Sequence, residues 1–191
     1  MRDCSREKRH LFRRSSGLIL VLMCAVCAGV IAGGGDRVLL HLASVPSAHA
    51  ADSQFKKAPA FSVQDVEGKP RALADFLGAK PILLEFMEPN CPHCRDMAPI
   101  LTRLHAAYGK RVRFLTVAFD TNLQRIHRFI TREKHAWPYL VGSQDIRNAY
   151  RLEGVPTFYF LRPDGTMIDV VVGSLPEDAL RQNLENLLKA K

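Results

Sequence analysis

The chain has 191 residues, 47% of them hydrophobic and 24% charged, and carries a formal net charge of +8. This length and composition fit one globular domain with a real hydrophobic core and a short additional segment. Within residues 51–191 the basic residues are scattered among acidic ones without an aromatic-interleaved stripe. The charge pattern therefore argues against nucleic-acid binding.

Residues 1–50 are predicted to direct export. A basic arm precedes the apolar run at residues 18–32, an order typical of secretory signals and of inside-positive membrane anchors. The run is shorter than the ~20 residues that span a bilayer comfortably. A small-x-small pattern ending at Ala50 marks a cleavage site. We expect either a soluble domain released by cleavage near Ala50 or a domain tethered by residues 18–32, and in both cases residues 51–191 lie in the periplasm.

The remaining sequence alternates predicted strands and helices. We expect strands at residues 60–66, 81–87, 112–119, 139–141, 156–161 and 167–172. We expect a turn at 67–70, a short helical turn at 73–77, and helices at 92–108, 121–133, 145–152 and 176–189. The last two strands form a hairpin. Strands separated by helices predict an α/β sandwich around one mixed sheet.

Cys91-Pro92-His93-Cys94 follows the apolar strand at 81–87 and opens an amphipathic helix. A cysteine at a strand-to-helix junction meets unpaired backbone N–H groups, whose partial positive charge favours the thiolate. The alternatives are half of a metal site and two core cysteines without a role. A four-ligand zinc site needs a second ligand pair, and the sequence near Cys91 supplies none. The pattern therefore predicts a redox pair.

The positions of the other cysteines sharpen this prediction. Cys4, Cys24 and Cys27 all lie in the predicted export segment. Cys91 and Cys94 are then the two thiols of the exported domain. A pair this close cannot serve as a long-loop staple, because the stabilisation by a disulfide grows with the loop it closes. We expect this pair to react.

Glu85 lies in the apolar strand that precedes Cys91. An ionised carboxylate in such a strand costs several kcal/mol without a partner, so we expect its pKa to be raised. The alternative is a residue at the rim that pairs with Lys80 or an arginine. Glu88, beyond the end of the strand, is expected to be exposed.

The motifs taken together resemble the thioredoxin-fold proteins of the TlpA/ResA type. The resemblance covers nearly all of residues 55–191 and rests on the following segments: residues 58–61, 67–70 and 73–76, the Cys-x-x-Cys, Pro99, residues 121–141 and residues 154–157. It implies a thioredoxin-like fold, with a central mixed β-sheet flanked by helices. The first three segments resemble an added N-terminal β-hairpin, and residues 121–141 resemble a helix–strand insertion.

The resemblance also implies roles for individual residues. Cys91 attacks the substrate, and Cys94 resolves the mixed disulfide, which leaves a Cys91–Cys94 disulfide. Glu85 matches the buried acid that shuttles the proton of the second cysteine. Pro156 resembles the cis-proline that faces the disulfide, and the backbone of Val155 is then available to pair with an extended substrate segment.

Two features depart from the family pattern. Asn90 replaces the aromatic residue that usually precedes the first cysteine. The dipeptide Pro92-His93 is that of DsbA, a disulfide-forming oxidant, and Val155 is also DsbA-like. Pro92 stiffens the turn, and His93 can stabilise the thiolate of Cys91. The frame thus resembles a reductase while the active-site residues resemble an oxidant, and the sequence leaves the direction of reaction open.

These observations predict a periplasmic thiol–disulfide oxidoreductase that exchanges disulfides with exported proteins. We expect a monomer without a metal or other cofactor, recycled by a membrane redox partner. A reductase version could serve cytochrome c maturation. The alternative is a copper-handling protein of related fold, with His127 and His135 as candidate ligands, although such proteins resemble a Cys-x-x-x-Cys pattern. A peroxidase resemblance would need a threonine where Glu88 stands.

Overall fold

The computed structural model describes residues 57–190. Its strands are β1 (Ser62–Gln64), β2 (Pro70–Ala72), β3 (Ile82–Met87), β4 (Arg113–Ala118), β5 (Tyr139–Val141), β6 (Thr157–Leu161) and β7 (Met167–Val172). Its α-helices are α1 (Pro92–Tyr108), α2 (Leu123–Glu133), α3 (Gln144–Ala149) and α4 (Glu177–Lys189). A short 3-10 helix spans Leu73–Phe76. The predicted export segment at residues 1–50 lies outside the described residues.

The strands form two sheets. β1 and β2 make a small antiparallel hairpin. The other five strands lie in the order β5-β4-β3-β6-β7, with β3, β4 and β5 parallel and with β6 and β7 antiparallel to their neighbours. The predicted mixed sheet, thioredoxin-like fold and N-terminal hairpin are therefore confirmed.

β3 lies at the centre of the large sheet, and both of its faces are buried. Successive side chains of a strand point to opposite faces. Leu83 and Met87 pack in the core that includes residues of α1, α2 and α4, whereas Leu84 and Phe86 pack in the core that includes α3 and the 3-10 helix. Glu85 shares the parity of Leu83 and Met87 and so faces the α1 side.

α1 begins directly after the turn that follows β3. Cys91 is its N-cap, and Pro92 occupies the first helical position, where a missing N–H group costs nothing. The helix continues through Pro99 and buries one stripe against the sheet. The buried residues of α1 are Cys94, Met97, Ala98, Leu101, Leu104 and Tyr108.

Several details differ from the sequence predictions. The helix expected at 121–133 begins at Leu123, which is 42% exposed, whereas Phe129 of the same helix is buried. α3 ends at Ala149, since Arg151 adopts a left-handed conformation with φ of 49°. Glu88 is partly buried and pairs with Arg147 rather than being fully exposed. Within residues 57–190, none of the helices is both long and apolar enough to cross a bilayer.

Candidate active site

Cys91 and Cys94 lie where the central strand β3 leads into α1. Cys91 is partly exposed at the N-cap position, and Cys94, in the first turn, is fully buried. Both are free thiols, which is the reduced state of the predicted pair. One sulfur is therefore accessible to a substrate, and the other is reached through the first.

Cys91 contacts the loop that precedes β6. Its Sγ donates a hydrogen bond to the carbonyl of Val155 at 3.5 Å, and the Val155–Pro156 peptide bond is cis. Pro92 and His93 are exposed beside the thiol, and the His93 carbonyl accepts a bond from Ser174 Oγ at 3.5 Å. Of the residues predicted around the first cysteine, Pro92 and His93 are exposed, Val155 is partly exposed and touches the thiol, and Pro156 is buried.

Cys94 is held in the thiol form. Burial raises the pKa of Cys94 far above its ordinary value, and a hydrogen bond with Cys91 and the nearby charge of Glu85 add to that effect. A backbone hydrogen bond from Glu88 acts in the opposite direction but is weaker than burial. Because thiolate is the nucleophile in disulfide exchange, Cys94 can attack only when a neighbouring base accepts its proton.

Glu85 is the buried carboxyl whose charge acts on the pKa of Cys94. It is 3% exposed, and burial raises its pKa to about 7, although a hydrogen bond from Thr116 lowers it in part. Thr116 stands opposite Glu85 in the parallel β3–β4 pair, and its Oγ1 donates to Glu85 Oε2 at 2.8 Å. No ion pair between Glu85 and Lys80 or an arginine is present among residues 57–190, so the rim alternative is wrong.

A buried polar row extends from Glu85 across the sheet. Thr116 accepts a hydrogen bond from Trp137 Nε1 at 2.9 Å and faces Tyr139 in the β4–β5 pair. Burial and the charge of Glu85 raise the pKa of Tyr139 well above its ordinary value. The Tyr139 hydroxyl bonds to His135 Nδ1. His135 Nε2 lies 3.1 Å from the carbonyl of Ala98 and donates to it, because a carbonyl oxygen can only accept.

The sequence interpretation missed Thr116 and Tyr139 as partners of the acid and assigned His135 only to a possible metal site. The signal that could have found them is strand register, since both residues stand in the row of β3–β4–β5 positions that contains Glu85. A threonine beside a buried carboxylate supplies a hydroxyl donor in an apolar strand.

The two histidines of the copper alternative do not meet at the cysteines. His127 Nε2 bonds to the carbonyl of Val66 at 3.1 Å, and His135 is engaged with Tyr139 and Ala98. Across the described residues, no three His, Cys, Asp or Glu side chains are grouped as a metal site would require. The geometry around Cys91 thus favours sulfur exchange over metal binding.

Comparisons with known proteins agree with this geometry. ResA, a thiol-disulfide oxidoreductase of Bacillus subtilis, is 25% identical over 186 residues, which are 96% of each chain. ResA of Geobacillus thermodenitrificans is 27% identical over 132 residues, 68% of this chain and 75% of its own. These relatives and the fold support a thiol–disulfide oxidoreductase.

A secreted disulfide oxidoreductase of Mycobacterium tuberculosis, homologous to E. coli DsbE, superposes with a TM-score of 0.59 at 27% identity. The match covers 66% of this chain and 95% of that one. The family model described as AhpC/TSA matches residues 55–170. Because this match extends over more than half of the sequence, the chain belongs to the AhpC/TSA family.

Proposed function

We propose that this chain is a periplasmic thiol–disulfide oxidoreductase that exchanges disulfides with exported proteins through Cys91 and Cys94. The observation that carries the proposal is the pairing of a partly exposed thiol with a fully buried one at the start of α1. The raised pKa of Glu85, behind that pair, adds a proton acceptor that works near neutral pH.

In the reductive direction, the Cys91 thiolate attacks one sulfur of the substrate disulfide, and the other substrate sulfur leaves. Cys94 then attacks Sγ of Cys91, releases the second substrate sulfur and closes the Cys91–Cys94 disulfide. Two electrons pass from the chain to the substrate. The proton of Cys94 passes to Glu85, and the departing substrate sulfurs take up protons. The oxidative direction consists of the same steps reversed.

The Val155 carbonyl supports the proposed substrate site. It already accepts a hydrogen bond from Cys91 Sγ, and it belongs to the loop that carries the cis peptide bond. A substrate strand laid along this loop would bring its cysteine to Cys91 and replace the bond to Sγ with a backbone hydrogen bond. This arrangement is a short form of strand addition.

The periplasmic location rests on the predicted export segment in residues 1–50 and on the secreted M. tuberculosis relative. In that compartment a membrane redox partner would recycle the pair. The reductase version would act on components of cytochrome c maturation, as the resemblance to the TlpA/ResA type implies. Fractionation of cells that express the full chain tests the location, and recovery from the cytoplasm would overturn it.

The direction of exchange depends on the reduction potential of the Cys91–Cys94 couple. Stabilising the reduced form by ~1.4 kcal/mol raises the potential of a two-electron couple by about 30 mV. Equilibration with glutathione measures this potential. A value near that of thioredoxin, about −270 mV, overturns the oxidase version, and a value near that of DsbA, about −120 mV, overturns the reductase version.

The exchange itself is tested by mixing the reduced full chain with an unfolded protein that carries one disulfide. We expect the substrate to gain two thiols while Cys91 and Cys94 become oxidised. Cys91→Ser should abolish this transfer, whereas Cys4→Ser, which removes a cysteine outside the described residues, should leave it intact. Transfer at the full rate by Cys91→Ser would overturn the proposal.

A further inference from the structure

A cavity of about 690 Å³ lies directly beside the active-site turn. It is lined on one side by Asn90, which precedes Cys91, and by Arg95, which follows Cys94, and on the other side mainly by residues of α2. Phe129 contributes an apolar wall. A polypeptide whose cysteine is held at Cys91 has room to continue along this cavity.

The walls of the cavity are strongly cationic. The described residues that line it include no carboxylate, but they include four arginines and a histidine: Arg95, Arg125, Arg128, Arg132 and His127. We call the four arginines together with Phe129 the basic groove. Guanidinium groups beside a reactive thiol create a positive potential where a substrate enters, to the extent that no carboxylate offsets their charge.

Two of these arginines already have acidic partners. Arg125 donates to Asp120 at 2.8 Å, and Arg132 donates to Glu133 at 2.6 Å. Arg95 and Arg128 are exposed and form no ion pair with another residue of the range 57–190. These two side chains can therefore bind an external carboxylate without breaking a contact within the protein.

We propose that the basic groove binds an acidic segment of the polypeptide substrate, close in sequence to the cysteine that Cys91 attacks. This inference rests on the proposed exchange function and adds the substrate class to it. Charge complementarity selects carboxylates, which the planar guanidinium group can bind through two parallel hydrogen bonds. The volume of the cavity and its continuity with Cys91 select a polypeptide segment over a small anion.

The exchange step is unchanged by this binding. The Cys91 thiolate still attacks one substrate sulfur, Cys94 still displaces the second, and two electrons still pass from the dithiol to the substrate disulfide. Arg95 and Arg128 act on the encounter instead, because charges at the edge of an interface mainly change the association rate and its salt dependence.

Two synthetic peptides provide the test, each with one disulfide and otherwise identical. One carries Asp and Glu beside a cysteine, and the other carries Asn and Gln at the same positions. We expect the reduced full chain to reduce the acidic peptide about fourfold faster at low ionic strength, as two exposed ion pairs of about twofold each would give. The ratio of the two rates should approach one as salt shortens the screening length.

Arg95→Gln/Arg128→Gln should remove the preference for the acidic peptide. The matched control is Lys80→Gln/Lys110→Gln, which removes the same net charge from the end of the sheet and of α1 opposite to Cys91. It should keep the preference. If both double variants lose it equally, or neither does, the basic groove is not the binding site.

The outcomes separate this inference from the proposed function. If wild type reduces neither peptide, the exchange function fails. If wild type reduces both peptides at equal rates, exchange stands and the acidic-segment inference fails. If Arg95→Gln/Arg128→Gln slows the reduction of oxidised glutathione as strongly as that of the acidic peptide, the groove binds a small anion, and the polypeptide assignment is overturned.

Discussion

Replacing Glu85 with glutamine should change how the stability of the protein depends on pH. Burial raises the pKa of Glu85 to about 7, against an ordinary value of 4.5. At pH values between 4.5 and about 7, the unfolded chain has lost the Glu85 proton that the folded chain retains. The free energy of unfolding therefore falls as the pH rises through this window.

The size of the effect follows from the two values. The interval from 4.5 to 7, at about 1.4 kcal/mol per pH unit, corresponds to a loss of about 3 kcal/mol by pH 8. A glutamine side chain cannot ionise, so the Glu85→Gln variant does not suffer this loss. The difference in unfolding free energy between Glu85→Gln and wild type should move by about 3 kcal/mol in favour of the variant from pH 4 to pH 8.

Urea denaturation of both reduced proteins at a series of pH values measures this difference. Glu153→Gln is the matched control, since Glu153 is an exposed carboxylate, and the pH profile of this variant should run parallel to that of wild type. Parallel profiles for Glu85→Gln and wild type would refute the buried, proton-holding state of Glu85.

Three further predictions concern other residues of the buried polar row and of the active-site turn. Burial lowers the pKa of His135 from 6.5 to about 4, so the unfolded chain takes up the proton first as the pH falls. The free energy of unfolding of wild type should therefore fall by about 3 kcal/mol from pH 7 to pH 4 relative to that of His135→Gln. Equal acid sensitivity of the two proteins in urea denaturation would contradict this. Thr116→Val should raise the pKa of Glu85 further because it removes the hydroxyl donor, whereas Thr116→Ser keeps the donor and should not. Identical titrations of the Glu85 carboxyl by NMR in both variants would exclude a role of the Thr116 hydroxyl in setting this pKa. His93→Ser should lower the reduction potential by about 20 mV, as expected for ~1 kcal/mol less stabilisation of the reduced form. Asp96→Asn, on the exposed side of the same turn, should leave the potential unchanged, and equal potentials for His93→Ser and wild type would rule out tuning by His93.

The local sequence is sufficient to predict the strand, the cysteine pair and the helix that form the centre of the site. The apolar run of β3, the Cys-x-x-Cys after it and the apolar spacing of α1 are all short-range patterns, and both β3 and α1 lie within one residue of their predicted bounds. Proline at the first helical position and cysteine at the N-cap fix where α1 begins. The burial of Glu85 also follows from its neighbours in the strand.

The side chains that surround this strand, cysteine pair and helix are brought there by contacts between segments that are distant in sequence. Thr116 stands beside Glu85 only because β3 and β4 pair in one register, and a shift by one residue would turn its hydroxyl to the other face. The basic groove likewise forms because α2 packs next to the active-site turn, which brings Arg128 near Arg95. Charge spacing along a single helix does not contain that information.

The most direct test of the account is to trap the covalent intermediate. Cys94→Ala, mixed with a protein that carries an accessible disulfide, should accumulate a mixed disulfide through Cys91, visible as a mass increase that a reducing agent reverses. Cys91→Ala should form none through Cys94 under the same conditions, because Cys94 is buried and its proton is tightly held. Equal trapping by Cys91→Ala would contradict the assignment of Cys91 as the attacking thiol.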